Sequence, residues 1–267
     1  MQLRQAPGAL GGVIRYEFAM QARRVSLWVV SALLGIIPLI QFNSTNNYTH
    51  DANLPVTHAN IVVVEAAGAA TIFALGAGLI LADRLRRDRT TRMLDLLRTA
   101  PVSDRLRLAG KYLGATMATL LPLTLLYVVG FACLVVHWHD ATILPLALAG
   151  YIAFVLPAVF FVSAFSIACT SVLWPPLFQF LFVGYWLWDS LDPKGSIPTL
   201  DGTVLSPSGR LTMTGLFHFT PFRTTDLSYY PQASAWLGIA NIAALLGAAA
   251  LVLLAAWGYQ SWRFRHE

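Results

Sequence analysis

One carboxylate in this chain sits where a carboxylate is expensive. Glu65 interrupts the run 61–82, otherwise apolar or small, and is the one acidic residue well inside such a run. A charged side chain at mid-bilayer costs about 2.5–3.5 kcal/mol on insertion scales, so the position asks for a role. Two roles fit: a carboxylate on a substrate path or gate, or a hydrogen-bonded group near the rim of the bilayer. A second group, His137-Trp138-His139-Asp140, puts two imidazoles and a carboxylate in one short turn. Metal binding needs three or four converging ligands. One turn supplies part of that set, and Trp138 has the character of an interfacial anchor, so no metal site is assigned. His50, His58, His218 and His266 are scattered over loops and a terminus. Cys133 and Cys169, far apart in apolar surroundings, read as packed thiols rather than as a disulfide or redox pair. No GxxxxGK[ST] occurs; Gly110-Lys111 is followed by Tyr112, which leaves the chain without a phosphate-cradling loop. No catalytic residue and no cofactor is assigned here. An intramembrane enzyme using Glu65, the external histidines or Asp189 and Asp192 stays open as an alternative, weakened because no span pairs a nucleophile with a base.

The elements that must position these residues are membrane helices. Hydrophobic residues make up 57% of the 267 residues and charged residues 12%, with a mean hydropathy of +0.61. Those figures exclude a soluble globule, a disordered regulator and a coiled coil. Runs long enough to cross about 30 Å of hydrocarbon fall at 25–42, 61–82, 113–136, 143–166, 172–189 and 233–259. The expectation is an all-α polytopic membrane protein with six transmembrane helices in a single domain, 1–267. Pro175-Pro176 separates the fourth and fifth runs, because proline tolerates a helix start and breaks a helix interior. The first apolar run begins at Val25 without a small-residue cleavage pattern, so no cleavable leader is expected.

The loops predict the orientation. Fifteen of the 18 Lys and Arg lie in 1–24, 83–112, 167–171 and 260–267; 43–60, 137–142 and 190–232, of equal total length, hold the other three. Such a bias places both termini in the cytoplasm of a multi-pass protein of the cell (plasma or inner) membrane. Anionic lipid accounts for the basicity, and no nucleic-acid partner is expected.

Two cytoplasmic stretches are patterned. In 10–24, Leu10, Ile14 and Phe18 recur at helical spacing beside Arg15, Arg23 and Arg24, with Glu17 and Gln21 near the apolar stripe. This fits either a helix lying in the membrane interface or an ordinary basic flank. In the 83–112 loop, Met93, Leu96 and Leu97 share a helical face, with Leu94 beside it and Arg92, Asp95 and Arg98 around it. Pro101 ends that helix, and Ser103 or Asp104 can cap the next, which runs through Lys111 into the third span. A short amphipathic helix in such a place lies on the membrane or docks into another protein.

On the opposite side, Asn43-Ser44-Thr45 and Asn47-Tyr48-Thr49 match glycosylation sequons or are chance polar residues. The aromatic run from Phe178 to Trp188 reads as helix packing and an interfacial belt, with a lipid-like substrate path as the other reading. The 190–232 segment has Pro, Gly and Ser turns together with Leu216, Phe217, Phe219 and Phe222, which makes it a partly apolar external segment.

Arg87-Asp88-Arg89, Met93-Leu94-Asp95-Leu96-Leu97, Pro101-Val102-Ser103 and Gly110-Lys111 together resemble the cytoplasmic loop of type 2 ATP-binding-cassette permeases. Arg15-Tyr16-Glu17, with Phe18, resembles the elbow helix of that family, and the six-span layout extends the likeness over nearly the whole chain. The family often has a Gly-Thr pair before the Leu-acid step, where this chain has Arg92-Met93. The resemblance implies a permease subunit of an exporter with an elbow helix in 1–24, a coupling helix in 83–112 and short external helices in 190–232. Arg92, Met93, Leu94, Asp95, Leu96, Leu97, Arg98 and Pro101 would dock the ATPase. The implied partners are cassette ATPase subunits carrying ATP and magnesium, a second permease chain, identical or paralogous, and membrane lipid. A non-transporting membrane scaffold of the same fold is a further alternative.

Overall fold

The computed structural model describes residues 9–43, 57–82, 104–191, 199–200, 203–221, 230 and 232–266. The described residues are helices joined by turns. They comprise α1 (Ala9–Ala22), α2 (Val25–Asn43), α3 (His58–Ala82), α4 (Asp104–Trp138), α5 (Ala141–Cys169), α6 (Pro175–Leu191), α7 (Arg210–Leu216) and α8 (Ala235–His266). A helix stands at each of the six apolar runs, and α4 runs unbroken from Asp104 through Lys111 into the third run, as expected.

Four of these helices are long and apolar enough to cross a membrane: His58–Ala82, Arg105–Trp138, Ala141–Cys169 and Ala235–Tyr259. Leu10–Ala22 and Val25–Ile40 meet at a 68° bend and make a fifth if the bent pair is taken as one span. α6 has 17 residues, about 25 Å at 1.5 Å per residue, less than the hydrocarbon thickness. The bend between α1 and α2 is held locally. The Trp28 indole donates to the carbonyl of Ala22 at 2.8 Å, which satisfies one of the carbonyls a helix end leaves open.

α3 is the hub, packed against α2, α4, α5, α6 and α7. Its residues explain this, since Ala66, Ala67, Ala69, Ala70, Ala74 and Ala77 leave room for neighbouring backbones. A β-carbon on Gly150 of α5 would stand 2.8 Å from Ala66, and one on Gly76 would stand 2.8 Å from Leu34 of α2. Polar threads cross the same contacts. Ser166 donates to the Gly78 carbonyl at 2.7 Å, and Tyr112 donates from α4 to the Phe160 carbonyl at 2.8 Å.

α5 is not one regular helix. A turn at Ala141–Ile143 leads into Leu144–Gly150, then a wide π turn at Tyr151–Val155, then Leu156–Cys169. Pro157 supplies the physical reason: it lacks an N–H, and its ring would clash with the carbonyl four residues back. The wide turn relieves this, with the Leu156 N–H reaching the Tyr151 carbonyl instead.

The long helices alternate in direction, so the ends divide into two sets. The bend at 22–25, the end of α3, the start of α4, the α5–α6 turn and the end of α8 form one end. It is called the basic end here, because the segments leaving it carry fifteen of the 18 Lys and Arg. The opposite end holds the start of α3, the α4–α5 turn and the 203–221 segment.

Candidate functional site

At the basic end α1 lies against the first turns of α4, and two glycines let it come close. A β-carbon on Gly114 would be 2.7 Å from the Ile14 carbonyl oxygen and 2.7 Å from Glu17 Cβ. One on Gly110 would be 2.6 Å from Val13 Cγ1. Real β-carbons do not approach this closely, so the two helices cross nearly backbone to backbone at these residues.

The face α1 turns inward is polar as well as apolar. Glu17 is 9% exposed and Gln21 1%, while Leu10, Ile14 and Phe18 are only partly covered and Arg15 is exposed. The apolar stripe seen at helical spacing is therefore one flank of the contact, and Glu17 and Gln21 are its centre. Lys111, one turn before Gly114 on α4, is 7% exposed. Glu17 and Lys111 each have partners, whereas the Gln21 side-chain oxygen has no hydrogen-bond partner among the described residues. Arg105, in the first turn of α4, lies over the Trp257 ring of α8 with its guanidinium carbon 3.9 Å from the ring centroid. The start of α4 is thus tied to α1 on one side and to α8 on the other.

Arg92, Met93, Leu94, Asp95, Leu96, Leu97, Arg98 and Pro101 lie outside the described residues, as do both sequons beyond Asn43, Asp192 and Phe222. The structure brings Glu17 to the α1–α4 contact and leaves Arg15 pointing away from it. Glu65 is elsewhere. It lies seven residues into α3, about 10 Å along the axis, and is 2% exposed with partners in the bundle interior. α3 begins at His58, three residues ahead of the apolar run.

The opposite end is held by side-chain hydrogen bonds. Asn241 of α8, fully buried, donates to the carbonyls of Val204 at 2.7 Å and Ser206 at 3.1 Å and accepts from the Thr212 hydroxyl at 2.8 Å. Gly209 (φ 70°) makes the left-handed turn into α7, where a side chain would strike Phe154. Asn60 of α3 donates to the Thr220 hydroxyl at 2.6 Å. The 203–221 segment is therefore fastened to both α3 and α8.

In the α4–α5 turn, His139 takes φ 53° and Asp140 caps the turn that follows. Asp140 accepts from the hydroxyl and the N–H of Thr142 and lies 3.3 Å from His58 Nδ1. The Thr142 bonds first, and His58 after them, hold the Asp140 carboxyl below the usual carboxylate range. Among the described residues no group of three or more His, Cys, Asp and Glu is gathered to hold a metal ion.

Asn241 and the Arg105–Trp257 pair were not singled out from the sequence, and Gln21 reads there only as an interruption of the apolar stripe. Gly110 and Gly114 share a helical face and could have marked the close approach, and a lone Asn in an apolar helix could have marked Asn241. Nothing in the pattern joins Arg105 to Trp257. No family model matches the chain, and no curated protein matches it.

Proposed function

We propose that the chain is the permease subunit of an ATP-driven exporter. Two such chains, identical or paralogous, enclose the substrate path in the cell membrane, and separate cassette ATPase subunits holding ATP and magnesium supply the drive. The basic end faces the cytoplasm, in keeping with the charge bias. α6 is read as a sixth crossing, with Val172, Leu173 and Trp174, apolar and exposed, in the turn ahead of it.

The observation that carries this reading is the bracing of α4 where it emerges from the 83–103 loop. α1 is pressed against it at Gly110 and Gly114, and α8 is clamped to it through Arg105 and Trp257. A push delivered to the loop then moves α1, α4 and α8 together, as a coupling element requires. Met93, Leu94, Leu96 and Leu97 form the apolar centre of the ATPase contact, and Arg92, Asp95 and Arg98 its charged rim, with Pro101 ending the helix. ATPase closure shifts the bundle between two states with different access, and the chain itself does no bond chemistry. Glu65, buried in the hub helix, is the candidate gating carboxylate on this reading.

The test is gentle purification of the full chain from its native membrane. The expected result is a co-purifying protein that carries GxxxxGK[ST] and hydrolyses ATP in the complex. A folded, membrane-extracted chain with no such ATPase at any stoichiometry contradicts the reading.

A further inference from the structure

His58 stands at the first turn of α3 with a different group on each side. Its ring is stacked on Trp138 of α4, with centroids 4.3 Å apart and planes within 3°, and its Nδ1 is 3.3 Å from an Asp140 carboxylate oxygen. The contact joins residues 82 positions apart in the chain. Asp140 is itself held by both Thr142 bonds, so it offers a fixed anion rather than a swinging one.

We propose that His58, Trp138 and Asp140 form a proton-controlled latch that ties the start of α3 to the α4–α5 turn, closing as the imidazole gains its second proton and loosening as it loses it.

The chemistry on both sides of the ring has the same sign. A neutral imidazole offers Asp140 at most one ordinary hydrogen bond, while an imidazolium makes a charge-assisted one. The indole face also attracts a cation more strongly than a neutral ring. Among the described residues, the other ionisable groups at this end of the bundle are His137 and His139 in the turn, and Arg210, His218 and Tyr230 on the side of the external segment; Glu65 lies about two turns further along α3. Asp140 is the carboxylate in contact with His58.

The sign of the pH dependence follows from the two groups. Asp140 is depressed, so its contribution is present above the ordinary carboxylate range and is lost only as pH falls through a lower value. The latch is therefore strongest with the imidazole protonated and the carboxylate ionised, and weakens as either charge is lost. This inference does not depend on the exporter reading.

The stack supplies its own reporter, because a protonated imidazole against an indole quenches its fluorescence. The full chain in lipid nanodiscs is titrated from about pH 8 to pH 5, spanning the imidazole range, and Trp138 emission is isolated by subtracting a Trp138→Phe variant. The expected result is a loss of Trp138 emission on acidification, absent in His58→Gln and reduced in Asp140→Asn. Both substitutions are at the protein surface and keep size and polarity, and size-exclusion elution confirms that each variant is folded. His58→Asn repeats the test if His58→Gln elutes abnormally. Flat wild-type emission overturns the proposal, as does a loss that survives removal of His58. A loss unchanged in Asp140→Asn also overturns it, since stacking would then act without the carboxylate.

Discussion

The two ends of the bundle are joined by different physics. At the basic end α1 and α4 meet almost backbone to backbone, across glycines that leave no room for a β-carbon, and an arginine lies flat on a tryptophan. At the opposite end the 203–221 segment is fastened by directional bonds from Asn241 and Asn60, and α3 meets the α4–α5 turn through a half-exposed histidine. Close backbone packing resists sliding. Side-chain hydrogen bonds and a titratable contact can be released one at a time. On the proposed function, one end transmits displacement as a unit and the other holds a segment that can be let go.

The largest expected effect tests the first half of that contrast. Gly114→Leu forces a side chain into the Ile14 carbonyl and Glu17. The cost is at the upper end of overpacking, about 3 kcal/mol. Gly247→Leu in α8, where nothing lies within 4 Å, serves as its control. Replacing that glycine relieves the backbone entropy cost and stabilises by up to about 1 kcal/mol. Reversible unfolding in mixed micelles measures both, and equal effects at the two glycines would erase the distinction between a packed and an open site.

A middle-sized effect belongs to the opposite end. Asn241→Ala strands the Val204 and Ser206 carbonyls in a buried place and should destabilise by about 1–3 kcal/mol. Its signature is local, because faster hydrogen exchange in 203–221 should precede any change in α4. If exchange rises equally in both regions, the segment is not separately releasable.

The smallest effect is that of Arg105→Ala. An exposed cation–π contact contributes about 0.5–1 kcal/mol, so the fold should barely change. What should change is the mobility of a spin label placed at the start of α4 relative to one near Trp257. An unchanged distance distribution would show that α8 is not part of the brace.

Much of this frame was legible in the sequence, and the reasons are physical. Twenty-residue apolar runs have few fates, so every run became a helix, and the Pro175-Pro176 break appears as the start of α6. The helical run through Lys111 followed from a capping residue after a proline. Burial was less legible. α3 and α8 are both strongly apolar, yet most of the apolar stretch of α3 is buried and most of that of α8 is exposed. Apolarity suits lipid and protein interior alike; small residues and an acid mark α3 as the hub. The α1 contact was read through Leu10, Ile14 and Phe18, because an apolar stripe is the usual signal. Its centre is Glu17 and Gln21, placed there by two glycines on a different helix. The Arg105–Trp257 pairing depends on helix directions and lengths together, which no local pattern encodes.

The central claim is that force enters through the 83–103 loop and is carried by the braced start of α4. Leu94→Asp and Leu97→Asp put a charge at the centre of the proposed docking face, where each lost apolar contact is worth about 1.5–3 kcal/mol if fully buried. The decisive measurement is the stoichiometry of ATPase co-purifying with each variant in detergent, read beside size-exclusion of the permease itself. The account predicts a folded permease that has lost its ATPase, with Arg98→Ala losing less and in a salt-dependent way. ATPase retained at wild-type stoichiometry by both aspartate variants would contradict it.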